Sequence, residues 1–269
     1  MERLVFIDVD GTLLDRWQRV PESARHILPA IARAGHGLML ATGRSLPEIY
    51  PWIWDLGFSG IIAGSGAYVR VGSEVVADER IARRDIEEVS AELDRLGVLW
   101  LWQSPEGMWQ APGFMDVFVG DGSRWGDYER LVRPSLADGL PDSASKGTFV
   151  IPADAGVSVG DLAGLFGARF KVIAGSSESS SGTAGEILIR GADKGSGLLQ
   201  AASYAGVPVE HTIAIGDSSN DLQILSQAGL GVAMGNGADE VKAVADLVTS
   251  SVDDDGLAEA LIGLGLVPS

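Results

Sequence analysis

Two aspartates, Asp8 and Asp10, stand one residue apart after an apolar run, Leu4-Val5-Phe6-Ile7, and are followed by Gly11 and Thr12. The run reads as a buried strand, so the carboxylates fall where a strand ends and the chain turns. That is where open parallel sheets place their ligands. Strand alternation points both side chains the same way. An unpaired buried charge is costly, so a cation or a basic side chain must compensate the acids. Gly11 permits a sharp turn, and Thr12 offers a hydroxyl and a backbone amide. Read alone, the stretch also fits a plain strand and an acidic turn, because short motifs match by chance.

Three later stretches narrow the choice. Thr42-Gly43-Arg44 follows the strand-like run Leu38-Met39-Leu40-Ala41, and Gly216-Asp217-Ser218-Ser219-Asn220-Asp221 follows Thr212-Ile213-Ala214-Ile215. Lys194 lies between them, ahead of a helical pattern. Singly, each has a plain alternative. Thr-Gly-Arg fits an ordinary N-cap. Arg44 fits a surface ion pair. Gly-Asp-x-x-x-Asp fits an acidic helix start, favoured by the helix dipole. Taken in order, the four motifs make the chain resemble haloacid dehalogenase (HAD) superfamily phosphatases, in particular the Cof-like group with a large inserted cap. The resemblance spans nearly the whole sequence.

It implies a set of roles. Asp8 is the nucleophile: a carboxylate can attack phosphorus, and the aspartyl-phosphate splits one hard displacement into two easier ones. Asp10 is the general acid/base, protonating the leaving alcohol and then deprotonating water. Mg2+ is the cofactor, held by Asp8, the Asp10 carbonyl and Asp217, with Asp221 one helical turn on and ligating directly or through water. Thr42 and Gly43 hold phosphate oxygens through a hydroxyl and an amide at a helix start. Lys194 balances the charge of the nucleophile and the phosphoryl group. Thr12, Arg44, Ser65 and Asn220 complete the substrate contacts. One departure concerns specificity: the family often has Asn-Gly-Ala after the third strand, and here the chain reads Ser65-Gly66-Ala67, with a shorter reach at Ser65.

The elements that must position these groups follow from pattern. Strand-like runs alternate with helical ones over residues 1–80 and again from 189 to the end. Alternation of this kind argues a parallel, doubly wound sheet. The expected fold is therefore α/β, a Rossmann-like doubly wound parallel sheet core with an inserted α+β cap. The core is discontinuous, residues 1–80 and 189–269, and the cap, residues 81–188, is expected to set substrate specificity. Pro47-Glu48 is expected to open a helix that Gly57 closes, and Pro29 to kink the first helix or shift its start. Within the cap, helix 82–96, a strand pair at 98–103 and 108–111, and a strand, helix and strand at 146–151, 158–167 and 169–174 are read from the pattern. The Ser-rich stretch Ser176 to Gly182 reads as a loop. Trp100, Trp102, Trp109 and Trp125 all fall in the cap, where core packing is favoured over sugar stacking.

Composition excludes several classes. The 269 residues carry a formal charge of −17, which argues against a nucleic-acid partner. No cysteine is present, so there is no thiolate nucleophile, disulfide or Cys zinc site. The three histidines are scattered and show no metal spacing. The first strand begins at once, without a basic leader, and no stretch reaches membrane-span length. These features point to a cytoplasmic protein with no membrane partner, and the resemblance implies an enzyme acting on a small phosphorylated metabolite, a monomer or homodimer. A sugar phosphate is the expected substrate. The alternatives are a phosphomutase acting on a sugar phosphate and a non-catalytic phosphometabolite-binding protein.

Overall fold

The computed structural model describes residues 3–119, 126–179 and 182–267. The chain divides into two compact units. One comprises Met1–Gly43, Pro51–Asp78 and Asp193–Ser269; the other comprises Arg44–Tyr50 and Glu79–Ala192.

The first unit is built on an eight-stranded sheet. Its spatial order is Leu247–Val248, Leu230–Ala233, Thr212–Gly216, Leu4–Ile7, Gly37–Ala41, Phe58–Ala63, Tyr68–Val71 and Glu74–Asp78. The first six pair in parallel and the last two extend the edge as an antiparallel hairpin. Leu4–Ile7 is buried at every position, as a strand covered on both faces must be. Leu4 and Phe6 join Met39, Ala41 and Ile62 in one apolar cluster with Leu198, Ala201 and Ala202 of the helix Lys194–Ala205. Helix Glu22–Arg33 buries Ala24, Ile27, Leu28 and Ile31, a single stripe of helical period, and runs through Pro29 to Arg33. Chain order reverses around Leu4–Ile7, which has Thr212–Gly216 on one side and Gly37–Ala41 on the other. Ligands of open α/β sheets bind at the carboxyl ends of strands at such a reversal.

Two expectations are corrected. No α-helix opens at Pro47; the chain forms two 3-10 segments, Leu46–Glu48 and Pro51–Leu56. Pro51 has no N–H to donate and disfavours the helical region for the residue before it, and here, unlike at Pro29, the chain breaks ahead of the proline, with Ile49 extended. The Ser-rich stretch, read as a loop, is strand where it is described; Ser180 and Ser181 lie outside the described residues. Strands Phe170–Ser179 and Gly182–Ile189 run antiparallel, with Glu178 paired to Thr183 and Ser179 to Gly182. Cross-strand pairing overrides the weak local preference of serine.

The second unit carries a six-stranded sheet, ordered Phe170–Ser179, Gly182–Ile189, Lys146–Pro152, Leu99–Ser104, Gly107–Gln110 and Leu136–Asp138. The expected helix and strand pair are present as Arg83–Arg95 and the hairpin Leu99–Ser104 with Gly107–Gln110. Trp100 and Trp102 are core residues of this unit. Their indole N–H groups donate to Asp94 and Ser90, each at 2.8 Å, which satisfies the polar edge of a buried ring. Trp125 lies outside the described residues. The second unit also takes in Arg44–Tyr50, a segment from between two core strands. Its Glu48 is buried, and the carboxylate accepts hydrogen bonds from Ser45 N at 2.6 Å, Gln103 Nε2 at 2.7 Å and the Tyr128 hydroxyl at 2.5 Å. Thr148 donates in turn to Gln103 Oε1 at 2.6 Å.

Candidate active site

Three neighbouring strands of the first unit end in the expected residues. Leu4–Ile7 leads to Asp8, Gly37–Ala41 to Thr42, and Thr212–Gly216 to Asp217. Asp8 N donates to Ile215 O at 3.0 Å, so the sheet ladder itself fixes where the first carboxylate leaves the strand. After it the chain folds back tightly, with Leu13 N and Leu14 N donating to Val9 O at 3.1 and 2.8 Å. Leu13 and Leu14 are fully buried and anchor this return.

Lys194 is the hub. It is 0% exposed, and its Nζ donates to Asp8 Oδ1 and Asp221 Oδ1, each at 2.7 Å. Its helix is capped by Asp193, whose Oδ1 accepts Ser196 N at 2.7 Å, so the lysine is delivered from a fixed helix start. Asp221 is also fully buried, and its Oδ2 accepts the amides of Asp217 at 3.1 Å and Ser218 at 3.0 Å. Gly216 makes this possible: a Cβ there would lie 2.4 Å from the Asp221 carboxyl carbon. Asp221, expected as a metal ligand, also has both oxygens engaged in holding Lys194 and the loop.

Asp217 is oriented from three directions. Thr12 Oγ1 donates to its Oδ1 at 3.1 Å, and Asn236 Nδ2 donates to its Oδ2 at 3.2 Å. Gly11, at φ +84°, passes so close that a Cβ would lie 2.3 Å from Asp217 Oδ2. The Thr12 side chain, expected on the substrate, is spent on this carboxylate because it is fully buried beside it. Asn236 was not singled out in the sequence. It also donates to Gly11 O at 2.8 Å and accepts Val252 N at 2.8 Å, tying the last loop of the sheet to the first. Its signal was the turn Gly235-Asn236-Gly237 directly after a strand, at the same sheet end as the acids.

The remaining residues are placed as follows. Asn220 Oδ1 accepts the Ser218 hydroxyl at 2.9 Å, which orders the acidic loop. Thr42 is buried, and its carbonyl accepts Ser65 N at 3.1 Å, so the two segments adjoin. Ser65 is held in the left-handed region at φ +55°, buried, with no hydrogen-bond partner for its hydroxyl among the described residues. Gly66 beside it packs on the Asp193 backbone, where a Cβ would meet the carbonyl oxygen at 2.2 Å. Arg44 groups with the second unit, donating to Glu48 O at 2.9 Å and lying 5.6 Å from the Tyr50 ring centroid. Gly43 remains in the first unit, directly after Thr42.

Electrostatics show what the cluster lacks. Asp8, Asp217 and Asp221 can each turn one oxygen into a group within 4.8 Å of one another. Burial raises the Asp8 carboxyl well above its usual range; Lys194 works against this, and Asp221 and Asp217 add to it. Asp217 is pushed up to about 6, by burial and then by the charge of Asp221. Burial opposes the charge of Lys194, yet Asp221 and Asp8 outweigh it and hold the ammonium above its usual range. One buried cation therefore faces three carboxylates, and the acids still favour gaining positive charge. An all-oxygen donor set with this deficit suits a hard divalent cation.

Comparison with known proteins decides the family. A model of the haloacid dehalogenase-like hydrolases matches residues 5–261. The chain belongs to that family. YkrA of Bacillus subtilis, provisionally named a phosphatase, is 28% identical over 98% of both chains. A phosphoglycolate phosphatase of Methanopyrus kandleri is 28% identical over 97% of this chain and 96% of its own. Among solved structures, a haloacid dehalogenase-like hydrolase from Bacteroides thetaiotaomicron superposes with a TM-score of 0.81 at 25% identity, covering 98% of this chain and all of that one. A HAD subclass IIB sugar phosphatase shares the fold at a TM-score of 0.80 and 23% identity, covering 98% of this chain and 100% of that one. The resemblance carried by the four motifs is borne out, as is the α/β fold. So is the enzyme class, a HAD-type phosphoric monoester hydrolase.

Proposed function

We propose that this HAD-type hydrolase is a magnesium-dependent phosphatase of small phosphorylated metabolites, with sugar phosphates as the preferred class, working through an aspartyl-phosphate on Asp8. The observation that carries the reading is the buried bridge from Lys194 to Asp8 and Asp221, with Asp217 beside it. The full-length relatives with phosphatase names support it, and the sugar phosphatase of like fold supports the substrate class.

Asp8 and Asp217 would hold the ion, with the Asp10 carbonyl; when bound, Mg2+ draws negative charge from the phosphoryl oxygens. An oxygen of Asp8 attacks phosphorus and the ester P–O bond breaks, while the Asp10 carboxyl gives its proton to the leaving oxygen. The Asp10 carboxylate then takes a proton from water as that water's oxygen attacks phosphorus. The bond between phosphorus and the Asp8 oxygen breaks, releasing inorganic phosphate and restoring Asp8. Thr42 and Gly43 hold phosphoryl oxygens, and Lys194 balances the charge that builds on them. Asp221 positions Lys194. In this reading the first unit carries the chemistry and the second, with Arg44, selects the substrate.

Among the described residues no helix is long and apolar enough to cross a membrane. A soluble metabolite in the cytoplasm is the substrate that fits best. The test is phosphate release from a panel of phosphate esters, with and without chelator, by the wild type and Asp8→Asn. Activity that survives both the chelator and the substitution sinks the reading. Turnover in oxygen-18 water separates hydrolysis, which labels the released phosphate, from mutase chemistry, which does not.

A further inference from the structure

We infer that Gln18 is a positioning residue for Asp10, supplied by the turn that follows the first strand, and that it selects which Asp10 oxygen carries the transferred proton. The inference rests on the acid/base role given to Asp10 above. Gln18 Nε2 donates to Asp10 Oδ1 at 3.2 Å. An N–H can only donate, so Oδ1 must accept, and the proton of the acid form is then placed on Oδ2.

The turn is built to hold this contact. Asp15 N donates to Arg19 O at 2.9 Å, and the Asp15 Oδ1 accepts the amides of Trp17 at 2.8 Å and Arg19 at 2.9 Å. Gln18 N donates to Asp15 O at 3.0 Å. At its root, Gly11 N donates to Leu14 O at 2.9 Å, and Asp10 forms a bridge with Leu14. At the tip, Gln18 sits at φ +61°, a conformation that glutamine rarely adopts. Such strain persists where the surroundings over-determine it, and it gathers at functional sites. A glycine or asparagine would sit there more easily, yet neither carries an amide on so long a stem.

The consequence depends on the leaving group. A p-nitrophenolate departs without a proton, whereas a phenolate of higher pKa needs one in the transition state. Gln18→Gly removes the amide and the backbone strain together; Gln18→Glu keeps the shape and removes the donor. The assay is kcat/KM for phenyl phosphate and p-nitrophenyl phosphate, since this ratio reports transfer to Asp8. Both variants are expected to lose roughly 10- to 100-fold on phenyl phosphate and less than about 3-fold on p-nitrophenyl phosphate, the scale of one hydrogen bond to a charged group. Gln18→Gly should melt no lower than the wild type, because the strained site is relieved. Equal losses on both esters, or none on either, would overturn the assignment of Gln18. A wild type inactive on both esters and on the wider ester panel would instead bring down the phosphatase reading itself.

Discussion

At the scale of single residues, the site is held by groups that neutralise or aim one another. Lys194 is the extreme case, a fully buried ammonium between two carboxylates. Lys194→Met keeps much of the volume and removes the charge. It should lower unfolding stability by about 3–5 kcal/mol in urea titrations near neutral pH, the cost of stranding buried charges. Turnover should vanish with it. Asn236 acts at one remove, through Asp217 and Gly11. Asn236→Ala should weaken Mg2+ binding by about 10-fold, measured by calorimetry, because partners of metal ligands commonly carry 10- to 100-fold in affinity. Unchanged affinity would show that Thr12 alone orients Asp217.

At the scale of elements, strand ends were legible and helix detail was not. Apolar runs of four or five residues followed by Asp or Thr mark strands that end in candidate site residues, and Leu4–Ile7, Gly37–Ala41 and Thr212–Gly216 are all strands that do so. The stretch 47–56 reads as a helix because Pro47 at a helix start is a favourable sign, while Pro51 downstream disfavours continuation. That failure matters, because the same stretch carries Glu48 into the second unit. Glu48 has no motif around it, and only the fold brings Gln103 and Tyr128 to its carboxylate. Glu48→Ala would leave those donors and Ser45 without their acceptor. It should destabilise the protein by about 2–4 kcal/mol by urea unfolding, the sum of two or more unpaired buried polar groups.

At the scale of the whole molecule, excess negative charge links stability to pH and metal. Asp217 has a carboxyl pushed up to about 6, so the folded state binds its proton more tightly than the unfolded chain does. Its contribution is full below the ordinary carboxylate pKa and is lost as pH rises toward 6. Without metal, stability should fall between about pH 4 and 6 by at most about 3 kcal/mol from this group, at about 1.4 kcal/mol per unit. Asp8 shifts the same way. The check is urea unfolding in chelator across that range, with Asp217→Asn as the reference in which the fall is smaller. Excess Mg2+ at pH 7 should recover stability in the wild type and less of it in Asp217→Asn, since a ligand that binds only the folded state stabilises it.

The amino-acid sequence by itself determined the family, the parallel core and the order of the acidic motifs, because these depend on local pattern: apolar runs, turn residues and carboxylates at strand ends. Asp8, Asp217 and Lys194 were legible for that reason. Tertiary structure alone decided which partners those groups have. It placed Asp221 on Lys194 and turned Thr12 to Asp217. It drew Asn236 to the first loop, turned Gln18 within that loop onto Asp10, and left the Ser65 hydroxyl buried in a strained turn. Lys194 and Asp8 are separated by 186 positions and meet at 2.7 Å. No spacing rule in one dimension reports a contact that exists only because the start of a distant helix is folded against the end of the first strand.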